Sequence, residues 1–488
     1  MITIDIPADV RYIIEKLRSA GYEAYAVGGC VRDSLLGKTP KDWDITTSAF
    51  PEDVKRLFTR TIDTGIKHGT VTVLLNGTGY EVTTYRIDGE YLDGRHPEEV
   101  SFTPNLDEDL KRRDFTINAF VYNEEEGVKD LFGGLDDLKN GIIRCVGDPL
   151  LRFGEDALRI LRAVRFAAVL SFDIEKDTYD AAAELAGNLS KVSAERIKTE
   201  LEKTLTSGNP DYILMLHDLG IDRVILRELA AVGSCKELKD SLKKSKAEAS
   251  VRWAVLCYYI KKDACLKPAS VKKILSGLKF DNRTSDKIML FLDTVENCIK
   301  GDFDRNHKQP RHETDSGTLH METYQDYGNI CGTDNSQDSY RYFCRRILNI
   351  IGEEYIYDFA DFCRSVLENR NPDTVYLRNA EDVPGVTLTC DTDGTAGTIA
   401  APNTYDEIQA FIDGRFESAV RDILEKKECF SLKMLSVNGK DLLNEKIAEG
   451  KELGNILEYL LELVMESPER NEREYLLNAA RAYGHRKL

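Results

Sequence analysis

Nowhere in the 488 residues do about eighteen apolar side chains follow one another, so the sequence offers no segment able to span a bilayer as a helix. The start, Met-Ile-Thr-Ile-Asp-Ile-Pro, lacks a basic stretch followed by an apolar core and a small-residue cleavage site, and the expectation is a cytoplasmic protein. Cys-x-x-Cys pairs are missing among the 11 cysteines, an odd, scattered set that suits reduced core thiols better than a disulfide framework or a zinc site. Positive charge is short as well. The 66 Lys and Arg stand against 84 Asp and Glu, a net charge of −18, which weighs mildly against a nucleic-acid partner. A local cluster can still bind RNA while acidic surfaces lie elsewhere, and arginines gather at Arg152, Arg159, Arg162 and Arg165; the alternative is a solvated helix face.

What the sequence does contain is concentrated between Ala26 and Thr47. A short apolar strand, Tyr25 to Val27, runs into Gly28 and Gly29, where missing side chains let backbone N–H groups approach an anion at a helix start. A triphosphate is the natural anion. Asp42 and Asp44 then flank Trp43 with period two, so a strand here buries Trp43 and points both carboxylates one way, two hard oxygen ligands suited to Mg²⁺. Before them, Val10, Ile13, Ile14 and Leu17 recur at helical spacing and Gly21 closes that helix. After them, Val71 to Leu75, Glu81 to Tyr85 and Phe115 to Tyr122 read as strands, with Asn76-Gly-Thr-Gly as a turn. Glu81 is the candidate third acid; the alternative is an edge-strand glutamate facing water. From Asp148 the period changes to 3.6 and stays there. Leu158, Leu161, Val164 and Ala168 form an apolar stripe, while Asp156, Arg159 and Arg162 share another face. A plain Glu155–Arg159 ion pair one helical turn apart is the structural alternative.

Five blocks in order carry a resemblance: Val27–Gly37 with Asp42-Trp-Asp, Arg112-Arg-Asp-Phe-Thr-Ile-Asn-Ala, Asp130-Leu-Phe-Gly-Gly with Asp136 and Leu138, Arg152-Phe-Gly-Glu-Asp-Ala-Leu-Arg, and Glu195-Arg-Ile. On these the chain resembles the class II tRNA nucleotidyltransferases, the CCA-adding enzymes, which belong with bacterial poly(A) polymerases in the polymerase-β-like superfamily. The resemblance implies an α+β fold: a mixed-sheet nucleotidyltransferase head at 1–147, a helical neck at 148–208, a helical body at 209–385 and a helical tail at 386–488. It implies that Asp42 and Asp44 hold two metal ions, Mg²⁺, beside Glu81. It implies that Arg113, Asp114 and Asn118 recognise the ribose and that Asp156 and Arg159 read the base edge. Gly28, Gly29, Arg32, Glu155 and Arg162 complete the candidate nucleotide-binding set. A carboxylate accepting from the exocyclic amino group of C or A, with a guanidinium donating to ring acceptors, is a pattern that U and G do not satisfy.

The implied activity is template-independent addition of C, C and A to the 3′ end of tRNA from CTP and ATP, with tRNA, ATP and CTP as partners and neither membrane nor DNA. Thr64-Gly-Ile-Lys-His-Gly-Thr looks like the tRNA-directed version of its stretch, and Arg86 to Pro97 resembles the flexible loop of enzymes that add the terminal A. An A-adding or CC-adding enzyme, a poly(A) polymerase and, from another class, an inactive RNA- or nucleotide-binding protein are the alternatives. The end, Leu435 to Leu443 with Gly450 and Gly454, looks like a Gram-positive-type tail that binds the outer part of tRNA. His217-Asp218 is not expected to found a phosphohydrolase centre, since such a domain needs several His and Asp ligands and the chain has 7 His. Residues 302–339 read as a polar insertion, with His307, His312, His320 and Cys331 spaced for no closed zinc site, and Asp391 to Asn403 as a second irregular stretch.

Overall fold

The computed structural model describes residues 3–89, 100–233, 235–300, 336–368 and 402–485. They fall into two compact units, residues 1–235 with 260–281, and residues 236–259 with 282–488. The expected head and neck both lie in the first.

In that first unit α1 (Ala8–Ser19) buries Val10, Ile13, Ile14 and Leu17, the stripe its sequence spacing demands. The sheet that follows is built from β1 (Ala24–Val27), β2 (Asp44–Thr47), β3 (Thr61–Gly65), β4 (Thr70–Leu75) and β5 (Thr78–Thr84), with α2 (Gly29–Leu35) and α3 (Pro51–Leu57) between the early strands. A separate ladder pairs β6 (Arg86–Asp88) with β7 (Val100–Phe102), and β8 (Val121–Asn123) and β9 (Gly127–Lys129) complete the main sheet in the order β3-β4-β5-β2-β1-β8-β9. Only β2 and β5 run parallel; every other neighbouring pair in this sheet is antiparallel. All four residues of β1 are buried, as a strand near the middle of a covered sheet requires. Tyr25 and Val27 pack with Tyr85, Leu106, Leu110 and Val121.

Several expected boundaries move. The β4–β5 turn is tighter than its four turn-forming residues suggest: Asn76 and Gly77 alone take positive φ, 50° and 84°, and Leu75 already pairs with Thr78. Two left-handed residues match the twist of a two-residue hairpin. The run from Phe115 to Tyr122 is not one strand. Asp114 accepts a hydrogen bond from the Phe115 N–H and another from the Asn118 amide, which bends Thr116–Asn118 into a 3₁₀ turn before β8. The strand expected around Trp43 starts only at Asp44, so Trp43 is half-buried rather than enclosed and lines a groove with Ile6, Pro7, Arg11 and Pro40.

After α4 (Leu106–Lys111) and α5 (Gly134–Asn140), the continuous helix expected across Glu155 is broken. It forms α6 (Pro149–Glu155) and α7 (Leu158–Leu170), with Asp156 extended at φ −139° between them. The Asp156 carboxylate accepts from the Leu158 N–H, the local bond that lets an Asp restart a helix. Helical period is also interrupted where β10 (Ile142–Ile143) pairs in parallel with β11 (Asp173–Ile174), ahead of α8 (Lys176–Glu184) and α9 (Ala194–Leu205).

The second unit is helical. Phe291, Phe359, Phe362 and Phe411 are wholly buried and meet ring to ring, Phe411 lying 4.3 Å from Phe416 across Gly414 at φ +79°. Toward its end Val437, Leu442, Ile456, Leu460 and Leu476 form another core, entered through a capping box between Asn438 and Asp441. Of the expected 302–339 insertion, Ser336 onward is helix (Ser336–Ile351); residues 302–335, with His307, His312, His320 and Cys331, lie outside the described residues. So do residues 90–97 of the expected flexible loop and 391–401 of the second irregular stretch, whose last residues, Pro402 and Asn403, open a helix. Among the described residues no helix is long and apolar enough to cross a membrane.

Candidate active site

Strand register assembles the acidic corner. Asp44 opens β2 and stands directly opposite Glu81 on β5, so both side chains leave the same face of the sheet. Glu81 is therefore on an interior strand, between β4 and β2, and the edge-strand alternative does not hold, although the side chain is exposed. Desolvation raises the Asp44 carboxyl above its ordinary range; the Glu81 charge pushes it further up, Arg113 opposes, and Asp42 adds to the rise. Asp42 sits exposed in the loop two residues before the strand yet close enough for its charge to be felt. Carboxylates whose charges press on Asp44 in this way offer hard oxygen donors to a divalent cation. Among the described residues no three or more His, Cys, Asp or Glu are grouped so as to hold a metal ion among themselves.

The glycine pair lies alongside. Gly28, at φ +80°, precedes the first turn of α2, its N–H donating to Phe120 O at 3.0 Å. The torsion at Gly28 favours glycine, and a side chain there would also crowd the Arg113 guanidinium, its Cβ lying 3.1 Å away; at Gly29 the nearest atom would be an Arg32 nitrogen at 3.7 Å. The Cys30 thiol, held up at about 11 by burial, interacts with the backbone of Asp44 and so ties the start of α2 to the start of β2. Arg113 reaches Asp109 at 3.5 Å, while its Nε has no hydrogen-bond partner among the described residues. Burial lowers its pKa, Asp109 works against that, and Asp114 and Asp44 do the same.

From here a relay of hydrogen bonds crosses to the helices. Arg32 donates to Asn118 Oδ1 at 2.6 Å and to Asp33; Asn118 donates to Asp114 Oδ1 at 3.1 Å; Arg162 donates through Nε and Nη2 to Asp114 Oδ2 at 2.7 and 2.5 Å. Burial alone would raise the Asp114 pKa, but Arg162, Asn118 and Arg159 overcome it and hold the carboxyl at about 2. Arg159 is fixed by its Nη1 to Glu155 at 2.6 Å and to Arg152 O at 3.0 Å, and by Nη2 to Arg112 O at 2.8 Å. The helix-spaced Glu155–Arg159 pair is therefore formed. Asp156 accepts from Arg196 of α9 at 2.8 Å and from the Leu158 N–H, which takes two of a carboxylate's roughly four acceptor positions.

The sequence-predicted residues thus gather into one continuous electrostatic patch, although Asp156 and Arg159 stand on either side of a helix break rather than on one helix. Sequence reasoning assigned no role to Asp109, fully buried between Arg112 and Arg113, or to Glu200, which pairs with Arg165 at 2.5 Å. Asp109 hides in an acidic first turn, Asp107-Glu-Asp, that reads as ordinary helix-dipole charge. Arg196 was visible only as part of the Glu195-Arg-Ile block. His217, apart from all this, bonds through Nδ1 to the buried Asp222 at 2.7 Å.

Two family models match, the Poly A polymerase head domain over residues 24–144 and the probable RNA and SrmB-binding site of polymerase A over 171–232. The CCA-adding enzyme of Leuconostoc mesenteroides is 55% identical over 208 residues, 43% of this chain and 52% of that protein, so here the match spans about half the relative's length. The CCA-adding enzyme of Lactobacillus helveticus is 41% identical over 298 residues, 60% of this chain and 73% of that one. Among solved structures, the Bacillus stearothermophilus CCA-adding enzyme in complex with CTP superposes with a TM-score of 0.69 at 26% identity, over 98% of this chain and 97% of that one. Nucleotidyltransferases of this kind generally use divalent metal ions. Because the Lactobacillus helveticus enzyme is matched over nearly three quarters of its length at 41% identity, the chain belongs to the family of CCA-adding enzymes.

Proposed function

We propose that this protein adds C, C and A, in that order, to the 3′ end of tRNA from CTP and ATP and releases pyrophosphate. The reading is carried by one juxtaposition: Asp44 and Glu81 side by side across β2 and β5, with Asp42 near, next to a side-chain-free helix start. A bound Mg²⁺ pair would lower the pKa of the RNA 3′-hydroxyl and neutralise the triphosphate. Asp42 and Asp44 would hold it, since Mg²⁺ commonly takes one or two carboxylates together with substrate phosphates. Glu81 faces the same site and orients the incoming hydroxyl. The N–H groups at Gly29 and beyond and the Arg32 guanidinium meet phosphate oxygens.

Arg113, Asp114 and Asn118 face the ribose and distinguish ribo- from deoxynucleotides. Asp156 keeps acceptor positions for the amino group of C or A, and Arg159 presents its edge to the ring acceptors. Catalysis is then alignment of hydroxyl and α-phosphate together with charge compensation, without a covalent protein intermediate. The head comprises residues 1–147, the neck 148–208, the body 209–385 and the tail 386–488, and the protein works in the cytoplasm. The decisive experiment supplies Mg²⁺ and tRNA ending at the discriminator base, at C or at CC, with CTP and ATP given separately, and sequences the products. Stepwise completion to CCA is expected. Growth that stops at CC, growth only from CC, or long A tracts on any RNA would each assign a different member of the superfamily, and no extension at all would point to a binding protein.

A further inference from the structure

One buried ring underlies the cationic part of the site. Phe166 on α7 is 6% exposed, and three guanidinium carbons surround it: Arg165 at 3.8 Å from the ring centroid, Arg32 at 5.1 Å and Arg162 at 5.4 Å. Phe115 meets the same ring in a T-shaped contact, 5.7 Å between centroids at 80°. Arg32 comes from α2 and Arg162 from α7, so two elements far apart in sequence present like charges to one spot. Each cation has its own acid, Asp33, Asp114 or Glu200, but an acid fixes only one end of a planar fork. The negative face of an aromatic ring supplies the second restraint, because a guanidinium within about 6 Å of it is attracted to the quadrupole.

We propose that Phe166 is a positioning residue for nucleotide binding. Its π face and the Asn118–Asp114 relay fix Arg32 and Arg162 from two sides, so that both are aligned for an anionic nucleotide that Phe166 itself does not touch. The inference rests on the nucleotide-binding reading of Arg32 and Arg162 given above.

The test uses the full chain with Phe166 replaced in turn by 4-fluoro-, 3,5-difluoro- and 3,4,5-trifluorophenylalanine, which keep ring size while weakening the negative face stepwise. The KM for CTP and for ATP should rise along the series, to about fivefold for the trifluoro ring, while kcat stays within about twofold and the thermal midpoint is unchanged. Phe166→Leu should raise KM at least as far; if that variant does not fold, the fluorinated series decides alone. A flat KM across the series, in a protein whose Arg162→Ala variant does raise KM, overturns the positioning role and leaves the site reading standing. A KM rise that only follows a falling thermal midpoint overturns it too, since that is a folding effect. If Arg32→Ala and Arg162→Ala both leave KM unchanged, the reading of the site fails and the inference goes with it.

Discussion

At the scale of single residues, charge decides most outcomes. On the proposed ligand role, removing either aspartate would weaken the hold on the cation, so Asp42→Ala and Asp44→Ala should each lower incorporation at least about 1,000-fold. The thermal midpoint without added metal should hold or rise, because the charges of Glu81 and Asp42 both press on Asp44. Single-turnover extension of tRNA with labelled CTP measures the first, and a thermal melt the second. Arg159→Ala should act differently, preserving extension while relaxing the choice among C, A, U and G, as competition between the four nucleotides would reveal. Asp114 offers a pH signature. Its folded pKa of about 2 lies below the ordinary 3.8, so its contribution to stability is complete above about pH 4 and disappears as the pH falls through 2. The shift corresponds to about 2 kcal/mol. The stability gap between wild type and Asp114→Asn, followed by urea unfolding, should therefore shrink by about that amount between pH 5 and pH 2.

At the scale of elements, the sequence was legible where period or glycine dominates and misleading where one polar side chain overrides a run. The α1 stripe, β1 and the Gly28-Gly29 helix start follow directly from apolar spacing and positive φ. The strand expected through Phe115 fails because Asp114 and Asn118 bond locally, and the single helix through Glu155 fails because Asp156 caps a new one; neither bond is visible in a hydrophobic pattern. Glu200 escaped notice because its partner Arg165 stands thirty-five residues away, whereas the Asp109 partners, Arg112 and Arg113, are one helical turn on and only the burial of Asp109 was hidden. A close approach between elements was equally hidden. Gly134, where α5 begins, lies so near the 3₁₀ turn that a Cβ there would fall 2.4 Å from Thr116 O and 2.8 Å from a ring carbon of Phe120. Backbone cannot yield as a flexible side chain does, so Gly134→Ala should shift the turn carrying Asn118. The expected cost is about 1–3 kcal/mol of stability, with a raised nucleotide KM, measurable by denaturant titration and steady-state kinetics on one preparation.

At the scale of the whole molecule, the proposed site is confined to one of two units. Every candidate catalytic and nucleotide-binding residue, from Gly28 to Arg162, lies in the unit made of residues 1–235 and 260–281, whereas the phenylalanine core and the capped C-terminal helices belong to the other. Each unit has its own buried core, the condition under which domains unfold as separate cooperative blocks. A ligand that binds only the folded form of one block stabilises that block by mass action, by about 2.7 kcal/mol at a hundredfold excess over Kd. Scanning calorimetry with saturating CTP or ATP and Mg²⁺ should accordingly raise the midpoint of one transition and leave the other in place. The Asp114→Asn substitution should lower the transition that nucleotide raises. If nucleotide moved both transitions equally, or moved one while Asp114→Asn moved the other, the confinement of the nucleotide site to the first unit would be wrong.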